Sequence, residues 1–263
     1  KNIYCFDSSV ISKIGIKPPT KTYIAVANYL AEKLAIASLK NKWKVSSKKM
    51  LSIIIPVYNE NKYIRPLLKK VIDIYQIKKD IIVIDDGSND GTTEILKKEF
   101  KKSKSINKII FHKNNLGKGA AIKSAQKHIK GSYVAIQDAD LEYNPKNLIK
   151  IYHLMKKKNL QVVYGSRVLN KNIFMESRNL THFIRILINK FLTIFSNILN
   201  NQSLTDAHTC HKVFKSKVFK NINLKEKGFA FCPEVTTKIS KKKYKITETM
   251  TSYNPRSFAN GKK

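Results

Sequence analysis

Short apolar runs alternate with segments of helical periodicity along the chain from residue 51 onward. Four runs rich in Ile, Val and other apolar residues predict buried strands at 51–56, 80–84, 107–112 and 133–137. Three intervening segments with apolar residues at helical spacing predict helices at 62–75, 92–101 and 118–130. Strands that alternate with helices in this way are typical of an α/β fold, with helices on both faces of a parallel sheet.

Polar residues follow each of the four predicted strands. They are Tyr58-Asn59-Glu60, Asp85-Asp86-Gly87-Ser88, Asn114-Asn115 and Asp138-Ala139-Asp140. Ligands of parallel sheets bind outside the carboxyl ends of the strands. The four polar ends therefore predict one binding crevice, because packing alone gives little reason for them to meet.

Three carboxylates, Asp138, Asp140 and Glu142, come directly after the fourth apolar run. In an extended segment, residues two apart point to the same side. Carboxylates placed so close repel one another and are costly to bury. Hard oxygen ligands without His or Cys favour Mg²⁺ or Mn²⁺, which completes its shell with phosphate oxygens. This pattern predicts a metal-assisted nucleotide enzyme, and an acidic surface turn is the alternative.

The formal net charge is +33, since 51 Lys and Arg face only 18 Asp and Glu. Such a charge favours anionic partners, namely nucleotide diphosphates, nucleic acid or an acidic membrane face. A compositional bias towards Lys, Asn and Ile accounts for the charge equally well.

The three cysteines, Cys5, Cys210 and Cys232, have no Cys-x-x-Cys spacing. They predict neither a disulfide framework nor a zinc site, and a reducing cytosol is the default compartment. The first residues lack the long apolar core of a secretory signal.

Residues 1–49 differ in character from the rest and are interpreted as an N-terminal helical extension or linker of unknown role. Pro18-Pro19-Thr20 is suited to starting a helix over 23–39, and 40–49 is basic and polar. The main domain is then expected to occupy 50–263.

The segment 180–199 is apolar for much of its length but contains Arg185 and Lys190. Each of these charges costs about 2.5–3.5 kcal/mol near a bilayer centre, which argues against a spanning helix. A helix lying on the lipid surface is favoured, and burial against the core is the alternative.

Six motifs, in order and with natural spacing, resemble the family 2 glycosyltransferases, which have the GT-A nucleotide-sugar fold. They are IPVYNE (55–60), VIDDGSNDGT (83–92), NLGKGAA (115–121), DADLEY (138–143), YGSR (164–167) and YNPRS (253–257). The chain is most similar to the polyprenyl-phosphate sugar transferases, the group that includes dolichyl-phosphate mannose synthase. The resemblance implies a mixed, mostly parallel sheet flanked by helices.

The resemblance also implies which residues form the site. Those implied to contact the nucleotide-sugar are Pro56, Tyr58, Glu60, Ile84, Asp86, Lys118, Asp138, Ala139, Asp140, Arg167 and Arg256. Mg²⁺ or Mn²⁺ is implied at Asp140, with help from Asp138 and Glu142. The residues implied to take part in catalysis are Asp138, Arg167, Asp206 and Arg256. Cationic side chains among them are suited to stabilising a departing diphosphate.

Several of these residues also have a structural interpretation. The loop containing Lys118 is either a phosphate loop or a loop-to-helix joint that needs glycine. Asp206 suits a turn cap nearly as well as an acceptor site, and Glu234 suits a helix cap at least as well as catalysis. His208 and His211 are interpreted as structural because no further metal ligand accompanies them.

The resemblance implies an inverting, metal-dependent hexosyltransferase that is peripheral on the cytoplasmic face of a membrane. It would move a sugar from a nucleoside-diphosphate donor, GDP-mannose or a UDP-sugar, to a polyprenyl phosphate. A hydroxyl acceptor in a surface polysaccharide or glycan is the first alternative. A basic nucleic-acid-binding protein is the second, but it leaves the carboxylates unexplained, so no nucleic acid partner is expected. The sugar, the nucleotide and the oligomeric state stay open.

Overall fold

The computed structural model describes residues 50–169 and 180–256, and all structural statements refer to these residues. The side chains of 180–183 and 185 are outside that description. The predicted N-terminal extension, 1–49, also lies outside the described residues, as do Ser257 and the C-terminal residues after it.

A central sheet contains seven strands within the described part of the chain. They are β1 (Leu51–Val57), β2 (Lys79–Asp85), β3 (Lys108–Phe111), β4 (Tyr133–Ile136), β5 (Val162–Ser166), β6 (Lys212–Lys215) and β7 (Ile246–Met250). Their order is β3-β2-β1-β4-β6-β5-β7, and β6 runs antiparallel to both of its neighbours. The other pairs are parallel. The prediction of a mixed, mostly parallel sheet is confirmed.

Helices cover the two faces of this sheet. They are α1 (Asn61–Ile72), α2 (Thr92–Ile95, which continues as the π-helical turn Leu96–Phe100), α3 (Lys118–Gln126), α4 (Asn147–Lys158), α5 (Leu180–Asn200), α6 (Ser216–Lys220) and α7 (Phe231–Lys241). The predicted helices α1 and α3 exist but end earlier than their apolar pattern does. Ile74 and Ile129 continue the pattern beyond each helix because both are buried in the loops that follow.

Alternate residues of β1 enter opposite halves of the core. Ile53 and Ile55 pack on the face that contains the buried residues of α1 and α4. Ile54 packs on the other face, with the buried residues of α3 and α7. Full burial of one such side chain contributes about 1.5–3 kcal/mol. The strand ends that carry the polar loops are thus held on a rigid platform.

The carboxylates after β4 do not lie on an extended segment, so that part of the sequence argument is wrong. The strand ends at Ile136, and Leu141 has a positive φ of 61°. The cause is local, because the Asp140 carboxylate accepts a hydrogen bond from the Glu142 amide at 3.0 Å. Such Asx turns compete with extended backbone. Asn254 fixes the far side of the turn by donating to the Glu142 carbonyl at 2.8 Å.

Candidate active site

Strands β1, β2 and β4 are neighbours and end at the same edge of the sheet. The loops that follow them carry Glu60, Asp86 and Asp138, all with side chains that are largely buried. These loops lie at the carboxyl ends of parallel strands, where ligands of such sheets bind, and together they form the candidate crevice.

The guanidinium of Arg256 lies among three carboxylates in this crevice. Its two terminal nitrogens donate to the carboxylate of Glu60 at 3.0 and 3.2 Å. Nη2 is 3.6 Å from Asp140 Oδ2, and Nε is 3.8 Å from Glu142 Oε1. The ring of Tyr63 lies against the guanidinium, with its centroid 4.7 Å away. A single positive charge therefore offsets part of the repulsion among these carboxylates.

Asp140 is the carboxylate whose charge is most costly here. Burial raises the pKa of Asp140 to about 7, and repulsion from Asp138 and Glu142 adds to the rise. A group in this position gains from an added cation. Mg²⁺ usually takes one or two protein carboxylates and completes its shell with water and phosphate oxygens. Asp140 and Glu142 are suited to that role in number, charge and ligand type.

Asp138, predicted as a third metal ligand, has a different partner. Its Oδ1 atom is 2.6 Å from Lys118 Nζ, which also lies 3.1 Å from the Cys210 sulfur. Burial raises the pKa of Asp138, but the Lys118 ammonium and a hydrogen bond from Cys210 together hold that pKa below its usual value. In 50–169 and 180–256, no three His, Cys, Asp or Glu residues are arranged to hold a metal by themselves.

Both carboxylate oxygens of Asp86 have partners within the protein. Its Oδ1 atom is 2.6 Å from His112 Nδ1 and accepts a hydrogen bond from the Leu116 amide at 3.0 Å. Its Oδ2 atom accepts from the Gly117 amide at 2.7 Å. The second ring nitrogen of His112 is 3.0 Å from the Ser124 hydroxyl. Asp86, predicted to contact the nucleotide, thus anchors the loop that leads into α3.

Arg167 and Asp206, both predicted to be catalytic, form one ion pair. Nε of Arg167 donates to Asp206 Oδ2 at 2.7 Å, and Nη2 donates to Oδ1 at 2.8 Å. The Glu248 carboxylate accepts the backbone amide of Asp206 at 3.0 Å. Tyr253 joins this pair to the carboxylates, since its ring lies 5.2 Å from the guanidinium and its hydroxyl donates to Glu142 at 2.7 Å.

The remaining residues implied to contact the donor differ in accessibility. Pro56 and Tyr58 are half-buried at the end of β1. Ile84 is fully buried within β2 and belongs to the core, so it exposes no surface to a ligand. Ala139 is 4% exposed and lies between the two aspartates of the turn.

His211 has a structural role in the described chain. It is fully buried, and its ring nitrogens lie 3.1 Å from the Thr251 hydroxyl and 2.9 Å from Gln137 Oε1. Burial lowers the pKa of His211 to about 4, so the ring is neutral at physiological pH. His208 is half-buried, and burial lowers its pKa as well.

The start of α3 is covered by the loop 225–228. The Lys227 carbonyl accepts the Ala120 amide at 3.0 Å. Glu234, in the first turn of α7, accepts the amides of Lys225 and Glu226 at 2.6 and 3.1 Å. Glu234 therefore holds this loop to α7, and the Lys227 carbonyl connects the loop to α3. These contacts favour the interpretation of the glycines as a structural joint between the loop and α3.

Substitution of Gly119 by alanine should disrupt that joint. An added Cβ would lie 2.1 Å from the Glu226 carbonyl oxygen, which is backbone and cannot rotate away. We expect Gly119→Ala to lower the free energy of unfolding by roughly 1–3 kcal/mol, as overpacking does. Gly228→Ala is the matched control, because its Cβ would meet nothing within 4 Å. Equal melting temperatures of the two variants in thermal unfolding would contradict the close approach.

One long helix presents apolar side chains to solvent. On α5 they are Ile184, Leu187, Ile188, Phe191, Leu192, Ile194, Phe195, Ile198 and Leu199, between 39% and 75% exposed. Thr193 is buried on the opposite side, where its hydroxyl is 3.4 Å from the Ala207 amide. None of the described helices is both long enough and apolar enough to cross a bilayer.

Four contributors to the site were missed by the sequence argument. They are His112, Cys210, Glu248 and Tyr253. Each meets its partner through contacts between residues distant in sequence, from 26 to 111 positions apart. Tyr253 lies within a recognised motif, which was the only available signal for any of them.

Comparison with known proteins agrees with this architecture. Residues 52–222 match the model of the family described as Glycosyl transferase family 2. The chain is 27% identical over 218 residues to dolichyl-phosphate beta-glucosyltransferase ALG5D of Trichomonas vaginalis, covering 78% of this chain and 65% of that protein. It is 27% identical over 209 residues to the low-salt glycan biosynthesis hexosyltransferase Agl6 of Haloferax volcanii, covering 78% of this chain and 48% of that protein. The chain thus spans less than two thirds of the length of these relatives.

A solved structure shares the fold at low sequence identity. It is glucosyl-3-phosphoglycerate synthase from Mycobacterium tuberculosis, in complex with Mn²⁺, UDP-glucose and phosphoglyceric acid. The TM-score is 0.58 at 14% identity, covering 85% of this chain and 77% of that one. The predicted GT-A fold is confirmed by this likeness.

Proposed function

Because the chain belongs to glycosyl transferase family 2, we propose that it transfers a hexose from a nucleoside-diphosphate sugar to a polyprenyl phosphate. The observation that carries the proposal is the crevice in which Arg256 joins Glu60, Asp140 and Glu142. A cluster of hard oxygen ligands at the ends of parallel strands suits a metal–diphosphate group. The solved structure of the same fold contains Mn²⁺ and UDP-glucose, which supports a UDP-sugar donor, with GDP-mannose the other candidate.

The residues of the site have different roles in the proposed transfer. Asp140 and Glu142 would hold Mg²⁺ or Mn²⁺, which supplies charge neutralisation for a departing diphosphate. Arg256 and Arg167 present cationic donors to the same region and add to that stabilisation. Direct displacement then inverts the anomeric carbon, as the resemblance implies.

The charge state of the carboxylates favours a phosphate acceptor. A hydroxyl acceptor needs a general base, for which Asp138 and Asp206 were the candidates. The Lys118 ammonium holds the pKa of Asp138 low, and hydrogen bonds from Arg167 hold that of Asp206 low despite burial. Such carboxylates are poor bases. A lipid phosphate is already an anion and needs none, in agreement with the dolichyl-phosphate named for the Trichomonas relative.

The acceptor lipid would place the protein at a membrane surface, and we assign that contact to α5. Its exposed apolar side chains can enter the lipid interface, while a net charge of +33 attracts acidic headgroups. We propose a peripheral location on the cytoplasmic face.

Charged substitutions on α5 should remove membrane binding. Phe191 and Ile198 are 68% and 75% exposed. We expect the double variant Phe191→Glu/Ile198→Glu to co-sediment at least about tenfold less with acidic phospholipid vesicles, because each apolar side chain contributes about 1.5–3 kcal/mol when buried. Gln76→Glu/Asn221→Glu makes the same charge change at exposed positions outside α5. Equal losses in both variants would show that charge, rather than α5, governs binding.

Two measurements test the transfer itself. UDP or GDP should raise the melting temperature of the protein in the presence of Mn²⁺ and much less in its absence. A radiolabelled sugar from the preferred donor should then appear in a polyprenyl phosphate extract. Failure of every nucleotide to stabilise the protein with Mn²⁺ would overturn the proposal. Label found in a glycan and absent from the lipid would instead identify a hydroxyl acceptor.

A further inference from the structure

Three side chains from neighbouring elements form a chain of hydrogen bonds. Asp86 follows β2 and His112 follows β3, and these two strands pair in parallel with Asp85 beside Phe111. This register brings Asp86 Oδ1 within 2.6 Å of His112 Nδ1. The other ring nitrogen, Nε2, lies 3.0 Å from the hydroxyl of Ser124 on α3. The function proposed above uses neither His112 nor Ser124.

The partners of Asp86 decide which ring nitrogen of His112 carries the proton. The carboxylate accepts the backbone amides of Leu116 and Gly117, as an ionised group does. An ionised carboxylate cannot donate, so Nδ1 of His112 has to be the donor to Asp86. In the neutral ring Nε2 is then the acceptor, and Ser124 directs its hydroxyl proton to it. A nucleophile next to a base that a third group orients is the arrangement of serine hydrolases.

The position of Ser124 leaves room for a small molecule beside it. Ser124 is half-buried and lines two cavities, of about 450 and 430 Å³. Volumes of this size are typical of small-ligand sites. His112 lines the second cavity, and its side chain is only 9% exposed. The base is thus largely shielded from water, while the serine borders space for a ligand.

Positive charge surrounds the larger cavity. Four lysines line it, namely Lys123, Lys127, Lys225 and Lys227. Lys127 also lines the second cavity, as Ser124 does. A surplus of positive charge favours a ligand with a negative group. An ammonium group near the serine would also stabilise the oxyanion that forms when a carbonyl is attacked.

We propose that Ser124, His112 and Asp86 form a second active site, which hydrolyses small carboxylic esters that carry a negative charge. The Ser124 oxygen attacks the ester carbonyl, and its proton passes to His112 Nε2. The Asp86 carboxylate stabilises the imidazolium so formed. The tetrahedral oxyanion then collapses, the bond from the carbonyl carbon to the alcohol oxygen breaks, and the alcohol leaves with the proton from His112. The acyl group remains on Ser124.

Water completes the reaction at the same three side chains. His112 Nε2 takes a proton from a water molecule, whose oxygen attacks the acyl carbonyl. The bond from the carbonyl carbon to the Ser124 oxygen breaks, and that oxygen takes the proton back from His112. One ester and one water thus give one carboxylic acid and one alcohol, and the enzyme returns to its first state.

A fluorophosphonate probe tests the nucleophile directly, because it phosphonylates activated serine hydroxyls and releases fluoride. Mass spectrometry should find one phosphonyl group on the protein, and peptide mapping should locate it on Ser124. Ser124→Ala should lose the adduct and unfold at the same temperature as the unsubstituted protein. Ser105→Ala is the matched control, since Ser105 is exposed and lines neither cavity, and it should keep the adduct.

Ester hydrolysis tests the base and the substrate class. Glutamine can still donate to Asp86 but has no basic nitrogen, so we expect His112→Gln to hydrolyse para-nitrophenyl esters at least about 100-fold more slowly. Para-nitrophenyl benzoate and the same ester with a para-carboxylate differ in charge but little in shape. The carboxylate form should have a kcat/KM about tenfold higher, as one hydrogen bond to a charged group provides.

Each part of the proposal has its own contrary result. Folded protein that takes up no probe, or an adduct that persists in Ser124→Ala, would overturn Ser124 as the nucleophile. Unchanged ester hydrolysis in His112→Gln would overturn His112 as the base. A higher kcat/KM for the neutral benzoate would overturn the anionic substrate class. None of these measurements involves sugar transfer, so a failure of the function proposed above would leave their outcome unchanged.

Discussion

Asp140→Asn is expected to abolish Mn²⁺-dependent stabilisation by nucleotide and to lower kcat/KM by at least about 100-fold. The substitution keeps the shape of the side chain but removes the negative charge that would hold the metal. The asparagine oxygen can still accept the Glu142 amide, which Asp140 Oδ1 accepts at 3.0 Å. The turn should therefore persist, and the loss of activity should come from the missing metal ligand and not from a change in the fold. Calorimetry with UDP and Mn²⁺, alongside sugar-transfer kinetics, measures both effects.

The same variant should be at least as stable as the unsubstituted protein without ligands. Burial raises the pKa of Asp140 to about 7, above its unfolded value, so ionisation opposes folding. Between those two pKa values the folded state binds more protons, and stability falls as the pH rises through that range. Asparagine removes this penalty, so its advantage in melting temperature should be larger at pH 8 than at pH 5. Asp73→Asn, at an exposed position after α1, should change neither stability nor activity. Full activity of Asp140→Asn would refute the assignment of Asp140.

Hydrophobic patterning was sufficient to predict β1, β2 and β4 because these strands are buried on both faces, but it did not predict β5, β6 or β7. An uninterrupted apolar run such as Ile53-Ile54-Ile55 is stable mainly in a strand that is buried on both faces. Helix ends were less predictable, since Ile74 and Ile129 are buried in loops yet keep the helical spacing. The resemblance implied a mixed sheet but did not identify β6 as its antiparallel strand, and local pattern does not encode the direction of a neighbour.

The motifs indicated which candidate residues lie near one another but not which of them form pairs. The motifs identified Asp138, Lys118 and Arg256, and all three lie in the crevice. Their pairing depends on contacts across the fold, such as that between Arg256 and Glu60, which are 196 positions apart. The turn at Leu141 could not be read from strand periodicity either, because a side chain that bonds its own backbone redirects the chain.

Arg256 gives this network a physical role in the absence of substrate. Its guanidinium contacts Glu60 and lies within 4 Å of Asp140 and Glu142, all of which carry or can carry negative charge. An incoming metal would take over the neutralisation of Asp140 and Glu142. Arg256 would then be available to a diphosphate, for which its planar fork of donors is suited. Arg256 would therefore stabilise the carboxylates before the metal binds and the diphosphate after it binds.

The Arg167–Asp206 ion pair stabilises the fold, and a catalytic role of Arg167 has to be measured separately from this effect on stability. Asp206 is 4% exposed, and its carboxylate depends on two hydrogen bonds from the Arg167 side chain. Removing one member of such a pair leaves a buried charge without compensation, which costs about 3–5 kcal/mol. The Arg167 guanidinium lies over the Tyr253 ring, whose hydroxyl donates to Glu142. This placement is consistent with a second role towards phosphate.

Arg167→Ala should therefore lower the melting temperature by roughly 10 °C, given about 2–4 °C per kcal/mol for a domain of this size. Arg167→Gln/Asp206→Asn should recover at least half of that loss, because no unpaired charge remains buried. Its kcat/KM should stay about 100-fold below that of the unsubstituted enzyme, since the cation is still missing. Arg65→Ala is the matched control, because the Arg65–Glu99 pair has a 2.5 Å contact but is 45% and 41% exposed. An exposed pair contributes little, so its melting temperature should hardly change. Recovery of activity in the double variant would show that Arg167 acts only through Asp206.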